Sequence, residues 1–406
     1  MKNLIPRAGS VVAIFIIMTV PVFAEDVHLQ AAGPIGLGYV GIYYGLTNPS
    51  TGTWYEGEDL FGNTSTTWLA VADTGSSACI LGKSTQDAYA LRTAIPLQPY
   101  PDVHFSDVGF GGMEDFAVTE PVQIMVADFK SADNDTENHS LYYPSGPIGV
   151  NPPATRMAAA RDYIGGGAMD FDIIGMSVME GNVLEVDPHY LQFLRWTYIA
   201  MAGTISQTPP PAPSSGVLYI PVTMQSFFDT PQSVDVGKHP MVMMKIRKAP
   251  TDNFAERLAV FDSGSPVNFV SESFAAEAGI DLSAPADLSI TVLGVGGEQT
   301  TRPGYYIDTL ALELAGTHQD DELLISNTAV FIIPDDDMPC GLDAILGSNI
   351  LSPSSNMVDT TIQKWFLDMR DEENAFLVIV IPEPATMLLI LLAFPVLLKK
   401  HRTRRC

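Results

Sequence analysis

Two short motifs each place an aspartate where it could act as an acid or a base. Asp73 opens the triplet Asp-Thr-Gly, Asp262 opens the triplet Asp-Ser-Gly, and an apolar run precedes each of them. Two carboxylates held close together cannot both ionise cheaply, so they share one proton. The ionised member can then take a proton from water, while the protonated member hydrogen-bonds a carbonyl oxygen. Such a pair would hydrolyse a peptide bond without a metal or a nucleophilic side chain.

The residues around each aspartate are of the types that would fix such a pair. The glycine of each triplet would remove side-chain bulk where the two backbones meet. The hydroxyl residue between aspartate and glycine could hydrogen-bond across the interface and lock the two loops. The serine after each glycine could hydrogen-bond the carboxylate and orient it. The predicted supporting residues are therefore Thr74, Gly75, Ser76, Ser263, Gly264 and Ser265.

The two triplets recur in the same sequence context. Each is followed by a Gly-rich stretch, at 108–112 and 293–297, and then by two apolar residues and a glycine, at 173–175 and 345–347. One triplet alone would mean little, because Asp-Ser/Thr-Gly is also a common surface turn. The same three features in the same order favour two related halves.

The elements that must position these residues are short strands. Apolar runs rich in Val, Ile and Tyr are interrupted by Gly, Pro, Asn and Asp, which predicts a mainly β chain. Two short helices are expected, at 188–195 and at 271–278, the second with Ser271 as its cap. The predicted strands lie at 38–44, 67–72, 121–126, 217–222, 258–261, 288–292 and 329–333.

A Pro-rich linker at 208–215 divides the body of the chain into two lobes, residues 25–207 and 216–376. Clustered prolines favour a stiff, extended segment. The predicted architecture is thus two lobes, each supplying one aspartate.

Composition excludes several classes of function. The net charge is −26, and the body is more acidic still because seven of the 21 basic residues lie in the two ends. Such a body would repel nucleic acid, so we expect no nucleic-acid partner. The histidines and the three cysteines have no metal-ligand spacing, so we expect no metal and no cofactor. Cys79 and Cys340 could form a disulfide or could be two buried thiols.

The N-terminus has the three parts of a secretory signal peptide, predicted at 1–24. Lys2 and Arg7 precede an apolar run at 11–20, and Ala24 supplies a small residue before the expected cleavage point. An uncleaved membrane anchor is the alternative. Either form would export the body of the chain.

The C-terminal segment, 377–406, contains Pro-Glu-Pro at 382–384, an apolar run at 385–398 and a basic end at 399–405. This order resembles the PEP-CTERM sorting signal of Gram-negative bacteria. The resemblance implies processing by an exosortase-type enzyme, a membrane contact before processing, and delivery to the cell envelope, outer surface or exterior. The alternative is an ordinary C-terminal membrane anchor, with the basic end in the cytoplasm.

The two halves resemble the bilobal aspartic peptidases, which are pepsin-like in plan, and the later part of each lobe resembles retropepsins. The resemblance covers most of residues 35–370. It implies two β-barrel-like lobes, a cleft between them, Asp73 and Asp262 as the catalytic pair, a polypeptide substrate and a monomeric enzyme. It also implies flaps over the substrate, although each hairpin could be a plain turn. The flap candidates are Phe110, Gly111, Gly112, Gly296 and Gly297.

Three hypotheses about function remain open at this point. The first is an exported aspartic endopeptidase. The second is a catalytically inactive envelope protein that binds peptide or matrix polymer on the same scaffold. The third is an unrelated β-rich surface protein whose two aspartate turns are coincidental.

Overall fold

A computed structural model of the chain describes twelve stretches of sequence, and all structural statements concern these. The signal peptide predicted at 1–24 lies outside the described residues, as do 189–195 of the first predicted helix and 383–406 of the predicted sorting segment. The described stretches are 26–31, 33–36, 38–58, 64–92, 100–109, 112–127, 154–161, 172–188, 199–293, 299–316, 321–352 and 362–382.

Among the described residues, the first half of the chain is mainly β. Its elements in order are β1 (Val27–Gln30), β2 (Tyr39–Thr47), β3 (Gly57–Glu58), β4 (Thr64–Ser65), β5 (Trp68–Ala72), β6 (Ile80–Leu81), α1 (Lys83–Arg92), β7 (Tyr100–Gly109), β8 (Gly112–Val118), β9 (Gln123–Ala127), β10 (Ala158–Ala159), β11 (Asp172–Ile174), α2 (Met176–Met179), β12 (Val183–Asp187) and β13 (Ile199–Ser206).

The second half repeats this β-rich character. It contains β14 (Val217–Gln225), β15 (His239–Arg247), β16 (Ala255–Asp262), β17 (Asn268–Ser271), α3 (Glu272–Glu277), β18 (Leu288–Leu293), β19 (Gln299–Ile307), β20 (Thr309–Glu313), β21 (Glu322–Ser326), β22 (Thr328–Ile333), β23 (Ala344–Gly347), β24 (Lys364–Asp368) and β25 (Ala375–Val380). Single 3₁₀ turns lie at Asp335–Asp337, Pro339–Gly341, Ser348–Ile350 and Glu372–Asn374.

The predicted fold class, mainly β and two-lobed, is confirmed, and each of the seven apolar runs forms a strand. The helix predicted at 271–278 is also present as α3. Its Ser271 side chain accepts a hydrogen bond from the backbone N–H of Phe274, which satisfies one of the free donors at a helix start.

The strand pairing repeats in the two halves. In the first half β2 pairs antiparallel with β5 and β9, and β11 lies parallel to β5 and antiparallel to β6. In the second half β15 pairs antiparallel with β16 and β20, and β23 lies parallel to β16 and antiparallel to β17. β10 and β22 also occupy matching places. β10 lies parallel to β6 and antiparallel to β8, and β22 lies parallel to β17 and antiparallel to β19. The repeated sequence features therefore correspond to a repeated topology.

The two lobes share a layer of strands. β12 of the first half pairs with β24, β24 pairs with β25, and β25 pairs with β14, so strands from both halves lie side by side in one sheet. In addition, β1 from the start of the chain pairs parallel with β21 of the second lobe. The last strand continues to Val380, past residue 376, where the sequence analysis placed the end of the second lobe.

The strands that lead into the two aspartates lie in the core. The residues just before each aspartate are almost fully buried: Ala70, Val71 and Ala72 in β5, and Ala259, Val260 and Phe261 in β16. The Phe261 ring meets the buried Trp365 ring edge-on, with 5.5 Å between centroids. Continuous apolar strands of this kind are buried on both faces, so they provide rigid supports for the loops that follow.

Candidate active site

Each aspartate lies where a strand enters a tight loop. Asp73 directly follows β5, and Asp262 is the last residue of β16. β11 runs parallel to β5 with Ile174 beside Ala72, and β23 runs parallel to β16 with Gly347 beside Asp262. After β5 the chain forms the Asp73 loop and returns as β6, which also pairs with β11. After β16 it forms the Asp262 loop and returns as β17, which also pairs with β23. This arrangement explains why an apolar pair and a glycine recur downstream of each triplet.

The glycine that ends each apolar pair is in close contact with the loop. A Cβ on Gly175 would lie 2.1 Å from the Ala78 carbonyl oxygen, and one on Gly347 would lie 2.1 Å from that of Val267. Only glycine allows so close a backbone approach. The next residue on each side then donates its backbone N–H to the loop. Met176 bonds the carbonyl of Ser76, and Ser348 bonds that of Ser265, both at 2.8 Å.

Four hydrogen bonds lock the two loops together. The Thr74 hydroxyl donates to the Phe261 carbonyl at 2.6 Å, and the Ser263 hydroxyl donates to the Ala72 carbonyl at 2.7 Å. The backbone N–H of each of these two residues donates to the hydroxyl of the other, at 3.0 and 2.9 Å. All four bonds are buried and join residues 187 to 191 positions apart. Thr74 and Ser263 therefore do what the sequence analysis expected of them.

The triplet glycines bring each loop against the opposite carboxylate. A Cβ on Gly75 would lie 2.4 Å from Cγ of Asp262, and a Cβ on Gly264 would lie 2.3 Å from Cγ of Asp73. Carbon atoms in contact stand about 3.5–4.0 Å apart, so no other residue fits without displacing a carboxylate. The closeness of the two aspartates thus depends on both glycines.

The two carboxyl groups form a hydrogen-bonded pair. Asp73 bonds Asp262 through their side chains, and both residues are partly buried. The backbone N–H of Gly75 donates to Oδ1 of Asp73 at 2.9 Å, and that of Gly264 donates to Oδ1 of Asp262 at 2.8 Å. The site therefore holds two acids in contact, each also bonded by a backbone donor.

Burial, the charge of Asp262 and the shared hydrogen bond raise the pKa of Asp73 well above its usual value. Burial also raises the pKa of Asp262, against hydrogen bonds that favour its ionised form. Two acids in contact titrate as a pair that holds one proton over an intermediate pH range. The arrangement can therefore offer an ionised oxygen and an acidic proton side by side.

The predicted role of the two loop serines was wrong in one respect. The Ser76 hydroxyl donates to the Ala78 carbonyl, and the Ser265 hydroxyl donates to the Val267 carbonyl, both at 2.8 Å. They therefore tie the loop to itself, because a carbonyl two residues ahead is nearer than the carboxylate. It is their backbone N–H groups that hydrogen-bond Asp73 and Asp262.

The flap candidates are mostly outside the described residues, which exclude Phe110, Gly111, Gly296 and Gly297. The hairpin strands on either side are described. β7 pairs antiparallel with β8, with Gly109 opposite Gly112, and β18 pairs antiparallel with β19. The base of the β7–β8 hairpin is apolar, because the buried rings of Phe105 and Phe116 stack there with 6.2 Å between their centroids.

Sequence reasoning missed one residue at this site, His239. The side chain is 3% exposed, and it contacts the first loop from the second lobe through Thr74 and Ser77. A single histidine before a proline has no spacing that would indicate such a contact.

Neither prediction for Cys79 and Cys340, a disulfide or two buried thiols, is fully correct. Cys79 and Cys340 are not joined by a disulfide; Cys79 is buried, but Cys340 is exposed. Burial raises the pKa of the Cys79 thiol to about 11, so it stays protonated and unreactive at ordinary pH. Within the stretches that the structure describes, no three His, Cys, Asp or Glu residues are grouped so as to hold a metal ion.

Comparison with solved structures finds a similarity to the crystal structure of an aspartic proteinase from Irpex lacteus. The two sequences are 14% identical, and the match covers 85% of this chain and 98% of the other, with a TM-score of 0.40. No protein-family model and no curated protein matches the sequence.

Proposed function

We propose that this chain is an aspartic endopeptidase. The observation that supports this function best is the carboxylate pair. Asp73 and Asp262 come from different lobes, share a hydrogen bond and are brought into contact by two glycines that no larger residue could replace. A surface turn that happened to repeat would not be locked to its copy by four buried hydrogen bonds.

The reaction follows from the state of the pair. The ionised carboxylate takes a proton from a water molecule as the water oxygen attacks the peptide carbonyl carbon. The protonated carboxyl gives its proton to the carbonyl oxygen, so a tetrahedral diol forms. When this diol collapses, one diol hydroxyl gives its proton to the ionised carboxylate as the C–N bond breaks, and the leaving amine takes the proton of the other carboxyl. The two aspartates end the cycle with one shared proton, as they began.

The proposed substrate is a polypeptide in extended form. The site lies where two β lobes meet, and an extended peptide can pair with strand edges through its main chain. The acidic body would favour substrates without strong negative charge and disfavour nucleic acid. We propose that the chain acts as a monomer.

The proposed location is outside the cytoplasm. The signal-peptide pattern at 1–24 and the Pro-Glu-Pro, apolar and basic order near the C-terminus support export, followed by processing by an exosortase-type enzyme. Within the described residues, no helix is long and apolar enough to cross a membrane. A direct test is to express the chain with a cleavable tag at each end in a host that secretes it and to sequence the termini of the product.

The enzymatic proposal is tested by following cleavage of an unfolded protein substrate between pH 2 and pH 8. We expect a bell-shaped profile, because activity requires one proton on the pair: the acid limb reports loss of the ionised oxygen and the alkaline limb loss of the proton. The raised pKa of Asp73 extends the alkaline limb to a higher pH than an ordinary aspartate would allow. A peptide inhibitor with a hydroxyl in place of the scissile carbonyl should abolish cleavage. Binding of that inhibitor without any turnover would favour the non-catalytic binding protein instead.

A further inference from the structure

A buried imidazole reaches the first active loop from the opposite lobe. His239 is the first residue of β15, and its Nε2 lies 2.8 Å from the Ser77 hydroxyl while its Nδ1 lies 3.2 Å from the Thr74 carbonyl oxygen. The ring of Phe227 covers it, with 4.6 Å between ring centroids. Both ring nitrogens are therefore used within the site.

The partners of the imidazole define its protonation. The Thr74 carbonyl can only accept a hydrogen bond, so Nδ1 carries the proton. Burial lowers the pKa of His239 to about 4, which keeps the ring neutral above that pH. Nε2 of the neutral ring is then an acceptor, and the Ser77 hydroxyl donates to it. The histidine thus holds the loop as a neutral group with one donor and one acceptor.

The hydrogen bond to Thr74 acts on the catalytic pair through one peptide unit. The carbonyl of Thr74 and the N–H of Gly75 belong to the same peptide plane, and that N–H donates to Oδ1 of Asp73 at 2.9 Å. A donor on the carbonyl side fixes the orientation of the plane and polarises the N–H on the other side. Through the Thr74 carbonyl, His239 therefore supports the hydrogen bond from the Gly75 N–H that stabilises the ionised Asp73 carboxylate.

Among the described residues, this support exists on one side of the pair only. The backbone N–H of Gly237 donates to the Ser77 carbonyl at 2.9 Å, and in the matching place Gly36 donates to the Pro266 carbonyl at 2.7 Å. Two residues after Gly36 the chain has Gly38, which has no side chain to offer. Pro266, which takes the place of Ser77 in the second loop, has no hydroxyl group that an imidazole could bond. The two loops share these backbone contacts, but in the part of the chain that the structure describes the imidazole contacts the Asp73 loop and not the Asp262 loop.

We propose that His239 is a positioning residue for peptide hydrolysis, which holds the Thr74–Gly75 peptide so that its N–H points at Asp73. This inference rests on the proposed function. The charged residue next to His239 in the chain, Lys238, is already paired. The Lys238 ammonium bonds Glu372, and its backbone N–H donates to Glu180 at 2.8 Å. Among the described residues, the hydrogen bonds of the imidazole go to neutral groups only, so the backbone plane and not an ion pair is its target.

The test compares two substitutions in the purified full-length chain. His239→Phe keeps a ring but removes both hydrogen bonds, whereas His239→Asn keeps an N–H donor close to the position of Nδ1. The two readouts are kcat and KM across pH and the titration of the aspartate carboxyl groups followed by ¹³C NMR. The NMR signals of the pair are assigned with an Asp73→Asn variant, and circular dichroism checks that each variant folds.

We expect His239→Phe to raise the lower apparent pKa of the pair by about half to one unit, because the ionised carboxylate loses part of a donor. The acid limb of the activity profile should move by the same amount, with kcat falling about tenfold and KM nearly unchanged. His239→Asn should recover most of both effects. If the Phe variant does not fold, His239→Gln, which places its amide near Nε2 and not Nδ1, should give the Phe result.

Two results would overturn the inference. One is a carboxyl titration in the Phe or Gln variant that coincides with that of the unsubstituted chain. The other is an Asn variant as strongly shifted as the Phe or Gln variant, since the bond to Thr74 would then be irrelevant. If the unsubstituted chain cleaves no peptide at any pH, the proposed function fails, but the carboxyl titration still decides the role of His239.

Discussion

The two active loops are alike where the chemistry requires it and different where only support is needed. Both have an aspartate at the end of a buried strand, a glycine against the opposite carboxylate, and a backbone donor on the carboxylate. Behind these features the loops differ. Cys79 accepts the N–H of Gly175 in one lobe, while Asn268 accepts that of Gly347 in the other. Two related halves have thus kept the geometry of the pair and changed the residues that hold it.

The largest effect on this comparison is expected from the triplet glycines. Gly75→Ala and Gly264→Ala should each lower kcat at least about a hundredfold, because the new Cβ forces a carboxylate away from its partner and misplacement by about 1 Å costs that much. The two losses should be similar, since the two clashes are nearly equal. Steady-state cleavage rates measure both.

A matched control for these variants is Gly33→Ala, where a new Cβ would meet nothing within 4 Å. Its activity should stay close to that of the unsubstituted chain. Full activity in Gly75→Ala would mean that the loops separate easily and that the close contact is not required.

The next effect concerns the lock between the lobes. Thr74→Val removes a donor to Phe261 and an acceptor for Ser263, so we expect the free energy of unfolding to fall by about 2–4 kcal/mol. Ser263→Ala should cost about as much, and the double variant should cost less than the sum, because the two residues share one network. Denaturant unfolding measures all three.

Thr74→Ser keeps the hydroxyl and serves as the control, with a loss of about 1 kcal/mol or less for its missing methyl group. Strictly additive losses in the double variant would show that the two hydroxyls act separately and would weaken the idea of a single lock.

The pH dependence of stability should report on His239, which contacts the Asp73 loop. The pKa of His239 is about 4 in the folded chain and 6.5 when unperturbed, so the unfolded chain binds more protons between these values. Stability from this group is therefore present above pH 6.5 and falls by about 3 kcal/mol as the pH drops to 4. His239→Asn should remove that fall, as measured by urea unfolding at a series of pH values.

Asp73→Asn provides a comparison of opposite sign. In the unsubstituted chain the pKa of Asp73 is raised, so above pH 3.8 the folded chain binds more protons than the unfolded chain. The stability that this carboxyl contributes is therefore lost as the pH rises through the raised pKa. The variant should therefore become more stable relative to the unsubstituted chain as pH rises. A change of the same sign in both variants would contradict the assigned shifts.

The smallest difference between the two lobes is expected where the loops differ in their internal support. The Asn268 side chain accepts from Gly347 and donates to Thr328 and Ala329, so Asn268→Ala should cost about 2–3 kcal/mol. Cys79 offers a sulfur acceptor at 3.4 Å from the nitrogen of Gly175, and Cys79→Ala should cost about 1 kcal/mol. Equal losses would mean that the thiol supports its loop as strongly as the amide does.

Seven strands and the central residues of the site could be predicted from the sequence because both depend on local pattern. Apolar runs ending in glycine or aspartate identified β5 and β16, and the repeat of the triplets identified both aspartates, both glycines and the hydroxyls that lock them. The partners of strands were not accessible in this way. Local pattern does not show that β1 pairs with β21, or that β12 pairs with β24, because the partner strands lie far along the chain.

The same limit explains the errors at the site. Ser76 and Ser265 were expected to bond the carboxylates, but the direction of a hydroxyl depends on the conformation of the loop and not on spacing. His239 contacts residues 162 and 165 positions away, so no local motif could reveal it. The proposed chemistry could be inferred from two repeated triplets, whereas the contacts that support the pair form only when the lobes come together.

The most direct test of the central claim is to replace each aspartate singly. Asp73→Asn and Asp262→Asn keep the shape of the site, but each removes the shared proton system. Cleavage of an unfolded protein substrate by the purified chain should fall at least about a thousandfold in both variants at every pH, because the two carboxyl groups act as one unit. Retention of activity by either variant would contradict a reaction that depends on both lobes.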